Sequence, residues 1–284
     1  MNDLLILIPT RNEAGNIDNI IAELKHYFSN SFYLFVDDSS EDGTLEILEK
    51  YSEKEPNLKV ISRLGSEPNL AKSYLRGYTF AKNSNIEFVA QLDCDGQHSV
   101  IDLLELYRKR KQADIVIGSR YISGGKVIGW SNSRLLLSKI ANRYLKFLFP
   151  LLTIKDATSG MRIASTEILE KIWIISPDSV GFSFHAESTI RAYRHQLILM
   201  EVPITFKPRH VGSSKMNTTR AFESLYKFLY WKLKYWNLTT NGIVSNAPKP
   251  VIKYIVSESS QLNKISWLTM NRTTKIHRYL KFDK

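Results

Sequence analysis

Apolar runs of strand length alternate with segments of helical periodicity through the first 120 residues. Residues 4–8 form a continuous apolar run, and Ile17, Ile20, Ile21, Leu24 and Phe28 then recur along one helical face. Further strands are predicted at 32–36, 60–61, 88–92 and 115–117. Between them, helical patterns run around Leu45 and Leu48, through 74–81 and over 101–109. Such alternation predicts an α/β fold, a mostly parallel sheet with covering helices. Functional side chains are then expected at the carboxyl ends of the strands.

The pattern changes after Gly118. Ser123-Gly124-Gly125 reads as a loop. Residues 134–149 read as an amphipathic helix with Ser138, Lys139, Asn142, Arg143 and Lys146 on its polar side, ended by Pro150. A helix at 184–193, a strand at 198–204, a basic Gly/Ser loop at 208–215 and a helix at 219–236 follow, before Ala247-Pro248-Lys249-Pro250 breaks the chain. Projected at 100° per residue, Phe222, Leu225, Tyr226, Leu229, Leu233 and Trp236 share one side of that last helix, suited to packing on the domain. Phe228, Trp231 and Tyr235 share the other, flanked by Lys227 and Lys234, and are expected to meet a membrane headgroup layer. The expected division is a domain over 1–217 and a basic, aromatic-rich helical tail over 218–284.

The chain has 284 residues, enough for one large α/β domain or two small ones. Its 43% hydrophobic and 24% charged content excludes a disordered or collagen-like chain. A single cysteine, Cys94, excludes an internal disulfide and a thiolate metal cage, and it reads as a small buried residue. Net charge is +11, and it is unevenly spread: from Lys207 onward fifteen Lys and Arg face three acids, leaving 24 basic and 25 acidic residues before that point. A neutral domain with a basic appendage implies a polyanionic partner, here an anionic membrane surface. Nucleic acid is not expected, because no recognisable binding motif accompanies the charge. No run approaches the ~20 apolar residues of a membrane span, and no secretory signal is read at the start. The expected location is cytoplasmic, peripheral on the inner face of a membrane.

Three polar segments follow predicted strands: Pro9-Thr10-Arg11-Asn12-Glu13, then Asp37-Asp38-Ser39-Ser40-Glu41-Asp42-Gly43-Thr44, then Asp93-Cys94-Asp95-Gly96-Gln97-His98. In a parallel sheet they share one edge, where converging carboxylates need a compensating cation. Alternation in an extended segment puts Asp93 and Asp95 on one side. Asp95 with the oxygen of Gln97 makes a hard-oxygen site for Mg²⁺ or Mn²⁺ with room for phosphate oxygens; a solvated acidic turn is the plain alternative. Gly15 stands alone after the first strand, so no dinucleotide-binding Gly-x-Gly-x-x-Gly is present, nor a phosphate-cradling Walker loop.

These motifs, followed in order by Gly118-Ser119-Arg120-Tyr121, Asp156-Ala157-Thr158-Ser159-Gly160-Met161-Arg162 and Gly212-Ser213-Ser214-Lys215, resemble the family 2 glycosyltransferases of the GT-A (Rossmann-like) fold. Within them the match is to the dolichol-phosphate mannose synthase-like, or polyprenyl-phosphate glycosyltransferase, branch, over roughly residues 4–217. The resemblance implies that Pro9, Arg11, Glu13 and Asp38 line the nucleoside pocket. It implies that Asp93, Asp95 and Gln97 hold the metal and the sugar diphosphate. Arg120, Arg134, Arg209 and Lys215 are implied as phosphate-facing cations. Arg11 stands where the family often has Tyr, Met161 replaces a common Phe, and Pro68-Asn69-Leu70-Ala71 sits where relatives usually carry a Gly-rich turn.

The expected reaction is inverting transfer of a hexose from a nucleotide sugar, GDP-mannose or a UDP-hexose, to a polyprenyl or dolichyl phosphate. A phosphate acceptor is already anionic and needs cations rather than a base, whereas a hydroxyl acceptor needs a general base. Asp156 and Glu187 are the candidates for that base should the acceptor be a hydroxyl of a growing glycan. Asp156 could equally stabilise its turn and Glu187 pair on its helix. A non-catalytic nucleotide-sugar-binding protein is the third reading. His98 and His185 read first as structural, and His210 as an aid to phosphate binding. The oligomeric state is left open.

Overall fold

A computed structural model describes residues 3–149, 154–174, 176–179, 181, 183–209, 225–234 and 252–254. The chain runs β1 (Leu4–Thr10), α1 (Ile17–Tyr27), β2 (Phe32–Asp37), α2 (Thr44–Lys54), β3 (Leu58–Ser62), α3 (Leu70–Asn83), β4 (Phe88–Gln91), α4 (Val100–Lys109) and β5 (Ile115–Ser119). It continues with β6 (Lys126–Val127), α5 (Asn132–Leu148), β7 (Arg162–Ser165), α6 (Thr166–Ile172), α7 (Ser183–Arg194), β8 (Leu199–Pro203), β9 (Thr205–Phe206) and β10 (Ile252–Tyr254). Residues 225–234 are helical.

The main sheet has the order β10-β8-β5-β7-β4-β1-β2-β3, parallel throughout except for β7, which runs antiparallel to both β4 and β5. β1 is buried on both faces, which is why it reads as an unbroken apolar run. Leu5 and Leu7 pack into the layer made with α3, α6 and α7, and Leu4, Ile6 and Ile8 into the layer made with α1 and α4. Gly77 lets α3 lie directly on β1: a Cβ there would stand 2.3 Å from Leu7 Cδ2.

β2 and β4 flank β1 on opposite sides, so the strand order reverses at β1. The carboxyl end of such a switch point is where α/β sheets bind ligands. The β1 and β2 exits are cross-tied there. Asn12 N–H donates to Ser40 Oγ, Glu13 N–H to Thr44 Oγ1, Ala14 N–H to Asp42 Oδ2 and Glu41 N–H to Asn12 Oδ1, all at 2.9–3.0 Å. The polar residues of these two motifs thus hold each other in place.

The structure differs from the pattern reading in three ways. β7 and α6 were not expected; β7 is only four residues long, with Ile163 and Ala164 as its apolar positions. Helix 225–234 is turned from the expected orientation: Phe228 and Trp231 are buried in the core and Tyr226, Leu229 and Leu233 are exposed, while Leu225 packs against the domain as expected. Burying Phe228 and Trp231 removes more apolar area from water than burying Leu229 and Leu233 would. Finally, the described pieces of the expected tail join the main domain, Phe228 and Trp231 in its core and β10 alongside β8. Among the described residues no helix is long and apolar enough to cross a membrane.

Candidate active site

Beyond β4 the chain turns through Asp93, Asp95 and Gln97. The Gln97 N–H donates to Asp95 Oδ1 at 3.0 Å. The Lys207 N–H donates to the Gln97 carbonyl at 2.9 Å, and Gln97 Nε2 to the Lys207 carbonyl at 3.2 Å. These bonds stitch the segment after β9 onto the acidic loop. Arg209 consequently lies beside Asp95, Nε to Oδ2 3.0 Å, and donates to Gln97 Oε1 at 3.2 Å. Cys94 points the other way into the core, as its size and apolar character suggest.

The two carboxylates are electrically unlike. Burial raises the Asp95 carboxyl and the neighbouring Asp93 charge raises it further, to about 6. Burial also pushes Asp93 upward, but the ring of His98, with Nδ1 3.2 Å from Oδ2, outweighs it and holds that carboxyl at about 2. Like charges crowded in this way favour one ionised partner until a cation arrives. The oxygen donors offered, two carboxylates and an amide, suit Mg²⁺ or Mn²⁺ in a site that leaves positions for phosphate oxygens. Gly160 keeps the floor low: a Cβ there would lie 3.3 Å from His185 Nε2, 3.4 Å from His98 Cε1 and 3.5 Å from Asp93 Oδ2.

Arg120 leaves the end of β5 and grips Asp156 with a fork, Nε to Oδ2 and Nη2 to Oδ1 both 2.7 Å, while Nη2 also reaches Thr158 Oγ1 at 3.0 Å. Asp156 is fully buried, and its carboxyl is held below the usual range because the Arg120 charge outweighs the effect of burial. It therefore positions Arg120 and has no free oxygen to act as a base. Glu201, buried within β8, accepts the N–H groups of Lys155 and Asp156 at 2.9 and 3.0 Å and sets this turn. Glu187 is also consumed, by the N–H groups of Asp178 and Ser179 at 3.0 Å each and by Arg191 Nη2 at 2.6 Å.

A cavity of about 150 Å³ opens above these groups. Asp93, Gln97, His98, Arg120, Arg134 and Arg209 are among the side chains that line it. Arg134, in the first turn of α5, stacks on Trp130 at 4.0 Å. Its guanidinium is destabilised by burial and then by Arg209 and Arg120. Three guanidiniums this close mark a place for an anion. Apolar lining comes from Leu137 and Ala141 of α5 and from Leu225 and Phe228 of helix 225–234.

The remaining expected residues lie elsewhere on the rim. Asp38 pairs with Arg63, accepts the Asn69 N–H at 2.7 Å, and has Arg11 as a further charged neighbour. Glu13 accepts from Asn16 Nδ2 at 2.7 Å beside half-buried Pro9. Glu13 leaves β1, one strand spacing from the β4 exit, and Asp38 leaves β2, two spacings or about 10 Å from it. Lys215 and His210 lie outside the described residues. Thr158, Trp130, Glu201, Arg63 and the His185–Gly160 floor were missed. Glu201 left one signal, an acid inside an otherwise apolar strand; the others are brought in by long-range folding.

The family model described as Glycosyl transferase family 2 matches residues 5–173. The chain is 35% identical over 231 residues to polyprenol monophosphomannose synthase of Mycolicibacterium smegmatis, covering 81% of this chain and 87% of that protein. It is 30% identical over 230 residues to undecaprenyl-phosphate mannosyltransferase of Micrococcus luteus, covering 81% and 94%. The fold is similar to crystalline glucosyl-3-phosphoglycerate synthase of Mycobacterium tuberculosis in complex with Mn²⁺, UDP-glucose and phosphoglyceric acid, with a TM-score of 0.59 at 16% identity over 81% of this chain and 78% of that one. Motifs, strand order and relatives agree: the chain has the GT-A fold and belongs to glycosyl transferase family 2.

Proposed function

We propose that this protein transfers a hexose, mannose by analogy with its named relatives, from a nucleotide sugar to a polyprenyl phosphate at the inner face of a membrane. The observation that carries the reading is the composition of the cleft: the guanidiniums of Arg120, Arg134 and Arg209 share one cavity with apolar side chains of α5 and helix 225–234. That is the chemistry of an amphiphile with an anionic head. The nucleoside is assigned to the rim formed by Pro9, Arg11, Glu13 and Asp38, and its diphosphate to the Asp93–Gln97 loop.

Asp93, Asp95 and Gln97 would hold Mg²⁺ or Mn²⁺, and the ion would take charge from the departing diphosphate. Accommodating it requires Arg209 to leave Asp95 and Gln97, which returns that guanidinium to the cleft. Arg120, held by Asp156, and Arg134, stacked on Trp130, then steady the acceptor phosphate for in-line attack, with Lys215 as a further cation. An anionic oxygen needs no base, in keeping with the full engagement of Asp156 and Glu187. Incubation with GDP-mannose and UDP-hexoses, each with undecaprenyl or dolichyl phosphate and Mn²⁺, tests the reading. A glycolipid from one donor supports it; none from any donor contradicts it.

A further inference from the structure

α5 is a partition. Arg134, Leu137 and Ala141 face the catalytic cleft, but the other flank of the helix borders a second depression of about 760 Å³. Lys126, Lys139, Arg143, Lys146 and Lys155 surround it, and among the described residues no acidic side chain lines it. Lys126, Lys139, Arg143 and Lys146 are exposed and make no ion pair among the described residues. Between the two depressions α5 shows solvent an apolar edge: Leu136 is 60%, Ile140 47% and Phe147 77% exposed. On a helical projection these three fall within about 40° of one another, with Arg143 beside them and Lys139 and Lys146 next round.

We propose that this groove binds the headgroups of anionic phospholipids while Leu136, Ile140 and Phe147 enter the bilayer interface. Unpaired cations at the border of an apolar edge match an anionic leaflet, where both are satisfied at once. A soluble anion or a nucleic acid would leave the apolar edge in water. The rest of the chain is a poor occupant, since residues 235–284 carry eight Lys and Arg against two acids and share the groove's sign. The inference extends the lipid-acceptor reading by naming the surface that meets the membrane, and it stands on different residues.

Sedimentation of the full chain with phosphatidylcholine vesicles, with and without phosphatidylglycerol, tests it. Wild type is expected to bind the anionic vesicles at least tenfold more tightly. Each cation near the leaflet contributes about fivefold, or ~1 kcal/mol, so K139E/R143E/K146E should weaken binding by about 100-fold or more. L136S/F147S should weaken it separately. Circular dichroism checks that these exposed substitutions leave the fold intact. Transfer to a short, water-soluble polyprenyl phosphate without vesicles should be unchanged in both variants. Absence of transfer from wild type would count against the reaction and not against the groove. Equal sedimentation of wild type and the triple variant, or no gain from phosphatidylglycerol, overturns the inference. So does an RNA oligomer that binds better than vesicles and is lost in the triple variant.

Discussion

Arg209 lies across Asp95, its Nε 3.0 Å from Oδ2 and 3.2 Å from Gln97 Oε1. A side chain carried in from the segment after β9 thus sits where the acidic loop offers oxygens to a cation. On the proposed function an ion and Arg209 would compete for the same lone pairs, so that loading the metal and freeing the Arg209 guanidinium would be one event.

Arg209→Met should therefore bind Mn²⁺ more tightly, by roughly tenfold if one charge-assisted contact is lost, while transfer falls. Titration of the free protein followed by Mn²⁺ electron paramagnetic resonance reads the first effect without any turnover. Unchanged or weaker Mn²⁺ binding would show that Arg209 does not compete.

Asp156→Asn removes the charge that Arg120 grips. Breaking a buried pair costs about 3–5 kcal/mol because the surviving charge is left uncompensated. Denaturant unfolding should show that loss. Enzyme that remains folded should show a raised KM for the polyprenyl phosphate more than a lowered kcat. An unaltered unfolding midpoint would mean that Asp156 is not the partner of Arg120 in solution.

His185 gives a pH signature. Burial, followed by the Arg162 charge, lowers its pKa from 6.5 to about 3, so the folded protein holds it neutral. The unfolded chain binds a proton there below pH 6.5 and the folded one does not. Stability from this group is fully present above that value and is lost as pH falls toward 3, at up to about 1.4 kcal/mol per pH unit. His185→Gln should flatten this part of the acid-unfolding curve. A variant as steep as wild type would show that His185 is not held neutral.

Gly77→Ala should destabilise by about 1–3 kcal/mol through overpacking against Leu7, read as a lowered melting temperature. A neutral outcome would show that α3 can lift away from β1 without loss.

The legible parts of this protein are those whose signal is local. β1, β2 and β4 announce themselves because interior parallel strands are apolar on both faces, and Asp93, Asp95 and Gln97 because they follow such a strand immediately. Arg120 and Asp156 were both visible, but not their union, since 36 residues separate them and only the antiparallel β7 brings that turn back. Helix 225–234 shows the limit of periodicity. Two apolar faces were evident, and only packing against the core decides that Phe228 and Trp231 go inside. Asp42 and Thr44, read as part of an acidic loop, are largely spent on tying that loop to β1.

In the proposed reaction the acceptor arrives already charged and is held by guanidiniums rather than activated by a base. Parallel assays with a polyprenyl phosphate and with the corresponding uncharged polyprenol, using the same donor and Mn²⁺, test it most directly. The phosphate should be glycosylated and the alcohol should not. Transfer to the alcohol but not to the phosphate would contradict the account.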